Sequence, residues 1–402
     1  MPLFRDVTSL LSSRQLVSLG RNDKYFTTLQ TLYFQHLALN FILLSMRVNF
    51  RKLKGFIYKH RISAIIVLVA VLAAMGVSYY LLSQNSSFVI PSITLTDNTE
   101  SETANLVEAP LSGELVAPEV AAKRVIAVII ENHPDARPQS GYNEADVVYE
   151  TLAEGGITRT LALFQSKDST EIGPVRSARD YFIKWLSEYD ALFAHVGGSA
   201  TALDMIRTYD IADLNQFYNG SYFWRSSDRY APHNVYTTTT KLYSAAESNG
   251  YATTATTTPF NFKDDVAAES RPVSQVVTVN FSSSLFRVTW TYQPTTNTYN
   301  RAVSGVAMKD KNTGVQISPN NVLVLYADIS SYVNYAGEQA VSIDTGNGDG
   351  VLFQDGVATE ITWSKASLTA RTIYKDAEGN EVKLNRGQTW IEVVPDTMAA
   401  TY

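Results

Sequence analysis

Cysteine is absent from the 402-residue sequence. The chain therefore has no disulfide, no thiolate metal ligand and no cysteine nucleophile. It also lacks the cysteine on which a lipobox depends, so we expect no lipoprotein anchor.

Signature motifs of several enzyme classes are also missing. The sequence has no GxSxG nucleophile elbow, no SxxK motif, no P-loop and no strand–GxGxxG–helix unit. It has no HExxH spacing, and a zinc site assembled from the distant His133, His195 and His233 has no support in the sequence. The segment 344–355 resembles a calcium loop but has glycine at two ligand positions. We therefore expect no cofactor and no metal, and the sequence leaves both an enzyme and a binding protein open.

Positive charge is scarce in most of the chain and concentrated at one end. Residues 1–82 contain ten Lys and Arg against two Asp and Glu, whereas residues 83–402 contain 23 against 37. A short basic front and a long acidic remainder are typical of a membrane topology and argue against a nucleic-acid partner.

The segment 62–82 has no charged residue and the length of a membrane-spanning helix. Basic residues are frequent in 47–61, and none follows the segment until Lys123. The positive-inside rule then places 1–61 in the cytoplasm and the rest outside. We predict an uncleaved, single-pass anchor in the cell membrane with extracytoplasmic C-terminal domains.

Two further segments precede the folded part. Residues 29–44 are apolar with polar interruptions. They indicate an amphipathic helix at the membrane, unless residues 1–46 come from a gene start placed too early. Residues 83–122 are rich in Ser, Thr, Pro and Glu and carry six acidic and no basic residues. They predict a disordered acidic linker.

From 123 onwards two patterns follow each other. Residues 123–265 alternate β-branched runs with helical periodicity, which predicts an α/β domain with a mixed sheet and flanking helices. Residues 266–402 contain short alternating runs separated by turns, which predicts a β-rich domain. The predicted strands and helices of the first domain are the strands 124–131, 146–154, 158–164 and 191–197 and helices that begin at Gly173-Pro174, Ser199 and Thr237.

The densest group of unusual residues lies in 154–180. With a helix starting at Gly173-Pro174, Arg176 and Arg179 lie three apart in its first turn, and Arg159 opens a nearby strand. Cations at a helix start repel its dipole unless an anion is present, which favours a bound carboxylate or phosphate. The structural alternative is a set of internal ion pairs. Its candidate carboxylates are Glu150, Glu154, Glu171 and Asp180.

Catalytic residues are less clearly indicated. Glu131, Glu150 and Glu154 could furnish the carboxylate pair of a glycosidase, with Glu150 and Glu154 as the acid/base candidates, and His195 is a further candidate. A lone histidine beside a strand is more often structural. The aromatic segment 217–230 has rings that could stack on sugars or close the core.

Long motifs resemble the bacterial YerB-like lipoprotein family, a family of unknown function. They span 131–165, 172–185 and 191–199, and continue in 299–310, 321–328, 344–356, 361–365 and 384–395. The resemblance implies an extracytoplasmic, membrane-tethered protein of two conjoined domains, with no catalytic role to carry over. Here a spanning helix stands in place of the family's lipid. The residues that match the family's motifs are Asn132, Arg137, Pro138, Gln139, Gly141, Glu150, Glu154, Gly155, Thr158, Arg159, Gly173, Pro174, Arg176, Ser177 and Arg179.

The sequence thus predicts an envelope protein that binds an anionic wall polymer or a protein partner. The expected ligand-binding residues are Arg159, Arg176, Ser177, Arg179, Asn132, Arg137 and Gln139. The alternative is a wall-acting hydrolase or transferase that uses Glu150 or Glu154 as acid/base.

Overall fold

The computed structural model describes residues 105–337 and 339–402. The predicted cytoplasmic segment 1–61, the predicted span 62–82 and residues 83–104 of the predicted linker lie outside these residues. Among the helices of the described residues, none has the length and apolar character needed to cross a membrane.

Strands dominate the described chain. Up to residue 265 they are β1 Val107–Glu108, β2 Leu115–Val116, β3 Ile126–Glu131, β4 Val147–Leu152, β5 Thr158–Phe164, β6 Leu192–His195, β7 Asp213–Asn215, β8 Trp224–Arg225, β9 Val235–Tyr236 and β10 Phe262–Lys263. Beyond it they are β11 Val276–Asn280, β12 Arg287–Gln293, β13 Thr298–Val303, β14 Val306–Ala307, β15 Asn321–Ala327, β16 Ile329–Val333, β17 Gln339–Ile343, β18 Asn347–Gln354, β19 Val357–Ser364, β20 Ile373–Lys375, β21 Leu384–Asn385 and β22 Thr389–Pro395.

Helices are few and short. The α-helices of the described residues are α1 Pro118–Ala121, α2 Asp180–Leu186, α3 Ala200–Thr208 and α4 Thr239–Ser248. Single 3₁₀ turns cover Pro134–Ala136, Tyr142–Glu144, Glu154–Gly156, Ser187–Tyr189, Gly220–Tyr222, Ala268–Ser270 and Ser284–Phe286. The side chains of Ser199 and Thr238 accept backbone N–H bonds at the starts of α3 and α4, which satisfies donors that a helix start leaves unpaired.

One ten-stranded sheet organises the molecule, in the order β20-β19-β18-β15-β22-β4-β5-β3-β6-β7. The strands β3, β6 and β7 are parallel to one another, as are β15, β22 and β4. The antiparallel β5 lies between these two groups and pairs with both β4 and β3. All six parallel strands therefore point their carboxyl ends at the same edge, here called the carboxyl edge.

Both faces of this sheet are covered. Helices α2 and α3 pack on one face, over residues such as Ala127 and Ile129 of β3. A four-stranded sheet of β11–β14 and helix α4 cover the other face, over Ile126 and Val128. A strand covered on both sides is largely apolar, which explains why residues 126–130 of β3 are all apolar and buried.

The mixed α/β character and the β-rich C-terminal part agree with the sequence, but the connection between the two halves was not anticipated. Strand β22, which belongs to the second half, pairs in parallel with β4 over Thr389↔Val147 to Val393↔Thr151. The segments 123–265 and 266–402 thus contribute strands to one sheet.

Two sequence expectations need correction. Residues 105–122, assigned to a disordered linker, form β1, β2 and α1, and Ala109 and Leu111 are fully buried. The helix expected at Gly173-Pro174 begins only at Asp180. Residues 172–178 are instead extended. Strand β6 pairs with only the first part of β3, and this segment pairs with β3 beyond that point.

Candidate functional site

The carboxyl edge gathers the charged residues that the sequence singled out. Glu131 ends β3, Glu154 follows β4, and Arg159 lies near the start of the antiparallel β5. In the antiparallel pairing of β5 with β3, Arg159 lies directly opposite Glu131. The open ends of parallel strands are where α/β sheets commonly bind ligands.

The segment that carries Arg176 lies between β3 and the residue that follows β6, and it hydrogen-bonds to both. The backbone N–H of Arg176 donates to the carbonyl of Ile129 at 2.9 Å, and its carbonyl accepts from Val196 at 3.0 Å. Gly173 allows this close approach: its φ is +149°, and an added Cβ would lie 2.7 Å from the carbonyl oxygen of Val235. The arginines are therefore held on rigid backbone rather than on a mobile loop.

Arg176 binds a buried carboxylate that also binds a histidine. Its Nε donates to Oε1 of Glu131 at 3.0 Å, and Oε2 of Glu131 lies 2.9 Å from Nδ1 of His233. The Glu131 side chain is 6% exposed, whereas that of Arg176 is 27% exposed. The arginine thus keeps part of its guanidinium open to solvent. Glu131 was not among the ion-pair partners considered from the sequence.

Arg179 and Glu154 form a two-point ion pair. Nε of Arg179 lies 2.5 Å from Oε1 of Glu154, and Nη2 lies 2.7 Å from Oε2. Burial raises the pKa of Glu154, but the hydrogen bonds and charge of Arg179 outweigh burial and leave it lowered. This pair is one of the internal ion pairs that the sequence suggested.

Arg159 has no such partner. The residue is 8% exposed, its Nη1 donates to the carbonyl of Ser177 at 3.0 Å, and its Nε is buried without a hydrogen bond. It forms no salt bridge within the described part of the chain. Burial, with the charge of nearby Arg179, lowers the pKa of Arg159 to about 10. Three guanidinium groups therefore lie near one another at this edge, and two of them pair with Glu131 and Glu154.

Asn132, Arg137 and Gln139 bond mainly to the protein itself. The amide nitrogen of Asn132 donates to Glu150 at 2.9 Å and to Thr158 at 2.7 Å. Its oxygen accepts from Arg137 and Gln139, each at 2.9 Å. Every polar atom of the Asn132 side chain is thus satisfied internally, and the three residues fix the loop after β3.

Glu150 lies inside the molecule, between the large sheet and the four-stranded sheet. Its side chain and those of Arg301 and Glu392 are 0% exposed, and the guanidinium of Arg301 bonds to both carboxylates. The guanidinium also stacks on Trp290 and Trp390, with its central carbon 4.8 and 4.4 Å from the ring centres. A group sealed in this way has no access to a substrate.

His195 is also fully enclosed. Its Nδ1 lies 2.6 Å from the carbonyl oxygen of Gly197, its Nε2 lies 2.8 Å from Oδ1 of Asp213, and its ring stacks on Phe193. Both nitrogens face acceptors within the protein. The residue ties β6 to β7 and leaves no nitrogen for a reaction.

Two other histidines meet at the carboxyl edge. The rings of His133 and His233 are stacked with centres 4.8 Å apart, and Asp135 lies beside them. His195 is not part of this group, so the structure joins two of the three histidines that the sequence considered for zinc.

Two cavities flank the turn at Gly155-Gly156. One, of about 410 Å³, includes Leu152, Glu154 and Ser331 in its lining. The other, of about 360 Å³, includes His133 and Phe286. Open space is therefore available beside Glu154 and beside His133 at the carboxyl edge.

Sequence reasoning missed Arg301 and Glu392. The period-two alternation of β13 already places Arg301 inward, between Tyr299 and Val303. Glu392 likewise interrupts the apolar run of β22. A charged residue at a strand position that faces the core was thus the signal in the sequence that could have identified this buried cluster.

Comparison with known proteins gives consistent matches. A family model described as "Protein of unknown function (DUF3048) N-terminal domain" matches residues 111–252, and the model of its C-terminal domain matches residues 277–391. A Bacillus subtilis relative named "Putative lipoprotein YerB" is 34% identical over 305 residues, which are 75% of this chain and 90% of the relative. The crystal structure of YerB superposes on this chain with a TM-score of 0.67. The match covers 73% of this chain and 99% of the YerB chain.

Proposed function

Since the chain belongs to the DUF3048 family, we propose that it is an extracytoplasmic protein of the bacterial cell envelope that binds an anionic ligand. The relative named as a lipoprotein supports a membrane-associated location outside the cytoplasm. The uncharged segment 62–82, with basic residues before it, supports a single-pass anchor in place of a lipid.

The observation that carries the ligand proposal is the buried Arg159. A guanidinium that is almost removed from water and has no carboxylate partner is costly, because its charge and its Nε–H are left uncompensated. Arg176 and Arg179 lie nearby and pair with Glu131 and Glu154, so the charge of Arg159 is the one of the three without a carboxylate partner among the described residues. A carboxylate or phosphate group would compensate this charge and accept the unused hydrogen bond.

Exposed aromatic rings on the same edge favour a wall polymer as the ligand. The residues Phe217, Tyr218 and Tyr230 are 68%, 85% and 92% exposed. Phe217 packs against Gly197, whose carbonyl accepts the N–H of Ala178 two residues after Arg176. Rings of this kind offer flat apolar surface to a sugar or peptide stem beside an arginine that binds its acid group.

The geometry favours binding over hydrolysis. Glu150 is sealed against Arg301. Glu154 has a lowered pKa and is held at two points by Arg179, so it is a poor general acid. We therefore propose a binding protein, with Arg159, Arg176 and Arg179 as the ligand-contacting group.

The test measures binding of soluble muropeptides with free carboxylates to the full-length protein in detergent, with a metal chelator present. We expect Arg159→Gln to weaken binding at least about tenfold, which corresponds to about 1.4 kcal/mol. The control is Arg207→Gln, which removes the same charge from a side chain 70% exposed at the end of α3. Equal affinity of the wild type and both variants, or no binding by the wild type, would refute the proposal.

A further inference from the structure

Three side chains that the anion site does not use lie together at the carboxyl edge. They are His133, Asp135 and His233, and one potential ligand atom from each lies within 4.8 Å of the others. His133 and Asp135 come from the turn directly after β3, and His233 comes from the loop between β8 and β9. Two elements that are distant in the sequence thus bring nitrogen and oxygen donors together.

A buried carboxylate orients one of these donors. Oε2 of Glu131 lies 2.9 Å from Nδ1 of His233, and Arg176 holds the other carboxylate oxygen at 3.0 Å. When Nδ1–H of a neutral imidazole donates to a carboxylate, Nε2 presents its lone pair on the opposite side of the ring. Metal-binding histidines are held by carboxylates in this way, which fixes the tautomer and makes the ligand more basic.

The other two donors lie close together. Nδ1 of His133 lies 3.6 Å from Oδ2 of Asp135 and also accepts the backbone N–H of Asp135 at 3.2 Å, so metal binding either replaces that hydrogen bond or uses Nε2. Two ligands of tetrahedral zinc lie about 3.3 Å apart, given bonds of about 2.0–2.1 Å. The stacked rings of His133 and His233 cannot both aim at one ion. We therefore expect the His133 ring, whose side chain is 33% exposed, to rotate on binding.

We propose that His133, Asp135 and His233 bind one divalent transition-metal ion of the zinc class, with Glu131 as the residue that positions His233. Two imidazoles and a carboxylate are donors that suit zinc. The side chain of Asp135 is 74% exposed, so a fourth position faces solvent. Three protein ligands with an open position are typical of zinc sites that bind a water or a substrate group.

The test titrates the full-length protein with Zn²⁺ by isothermal titration calorimetry, after chelation and without any muropeptide. We expect one equivalent to bind, and His233→Ala and Asp135→Asn each to weaken binding at least tenfold. Glu131→Gln should weaken it by about 10–100-fold, the range found when such orienting partners are removed. Co²⁺ should give the visible absorption of a tetrahedral site with the wild type alone.

Asp228→Asn is the matched control, because its side chain lies on the same loop as His233 and is 68% exposed. It should bind zinc like the wild type. Unchanged zinc affinity in His233→Ala and Asp135→Asn, or no stoichiometric binding by the wild type, would overturn the proposal. Circular dichroism checks folding, and the exposure of Asp135 makes Asp135→Asn the safer variant. Arg159→Gln should keep its zinc affinity, so that a failed anion site and a failed metal site give different results.

Discussion

Arg301 is a buried charged residue. Through its two carboxylate partners it connects the four-stranded sheet to the ten-stranded sheet. It extends from β13 of the four-stranded sheet and bonds to Glu150 of β4 and Glu392 of β22 in the large sheet. Desolvating three ionisable groups is expensive, and their mutual attraction offsets that cost only while all of them are present.

Arg301→Met should therefore destabilise the protein by about 3–5 kcal/mol, because it leaves two carboxyl groups buried without their cation. Urea unfolding of the full-length protein measures this loss. The triple variant with Glu150→Gln and Glu392→Gln should recover much of the stability, since no buried charge remains. A triple variant less stable than Arg301→Met would contradict this account.

Glu392 makes the contribution of this buried cluster to the unfolding free energy depend on pH. Burial raises the pKa of Glu392 to about 8, although Arg301 opposes the shift. Its Oε2 is buried without a partner, which suits a protonated oxygen better than a charged one. The folded state therefore retains a proton that the unfolded state releases at its ordinary pKa of 4.5.

Between about pH 5 and pH 8 the folded state binds more protons through this group, so its contribution to stability should fall as the pH rises. We expect the unfolding free energy of Glu392→Gln to vary less over this range than that of the wild type. Glu360→Gln, at an exposed position of β19, should retain the wild-type slope. Parallel slopes in all three proteins would show that Glu392 does not hold the proton.

At the scale of single elements, local patterns identified the strands well. A β-branched run predicted β3, the turn at Gly155-Gly156 separated β4 from β5, and an N-terminal serine predicted the start of α3, because these signals are local. The start of α2 was wrong because the glycine, proline and arginines of 173–179 resemble a helix start. The segment is held extended by β3 and Val235, and no local pattern reveals such distant partners.

Gly173→Ala tests that account of the extended segment. The new Cβ would lie 2.7 Å from the carbonyl oxygen of Val235, so the variant should lose about 1–3 kcal/mol, the cost of overpacking. Gly155→Ala is the control, because Gly155 has a φ of +71° but no atom within 4 Å of the added Cβ. The measurement is unfolding in urea. Equal loss in the two variants would mean that backbone conformation, and not the contact with Val235, requires Gly173.

At the scale of the whole molecule, the site could be predicted only in part. The sequence indicated Arg159, Arg176 and Arg179 as a group and Glu154 as a partner, since they are close in the chain. It could not indicate that Glu131 meets His233, because that contact depends on a loop from a distant segment. The shared sheet was hidden for the same reason, since the pairing of β22 with β4 joins residues far apart in the sequence.

The shared sheet predicts that the two halves do not fold separately. Residues 123–265 and 266–402, produced alone, should each lack dispersed amide signals in an NMR spectrum, because each exposes strands that the other half pairs in the full chain. Mixed from denaturant, the two pieces should recover native spectra. A folded spectrum from either piece alone would instead support two autonomous domains.

The position of β22 has a consequence for the growing chain. Its residues 389–395 are synthesised after both β4 and β15, yet they lie between these two strands in the middle of the sheet. Until they emerge, the parallel edges of both strands stay open to unwanted pairing. Any factor that binds the nascent chain must therefore protect these edges until β22 has emerged, and a chain that stops before β22 is left with an open sheet.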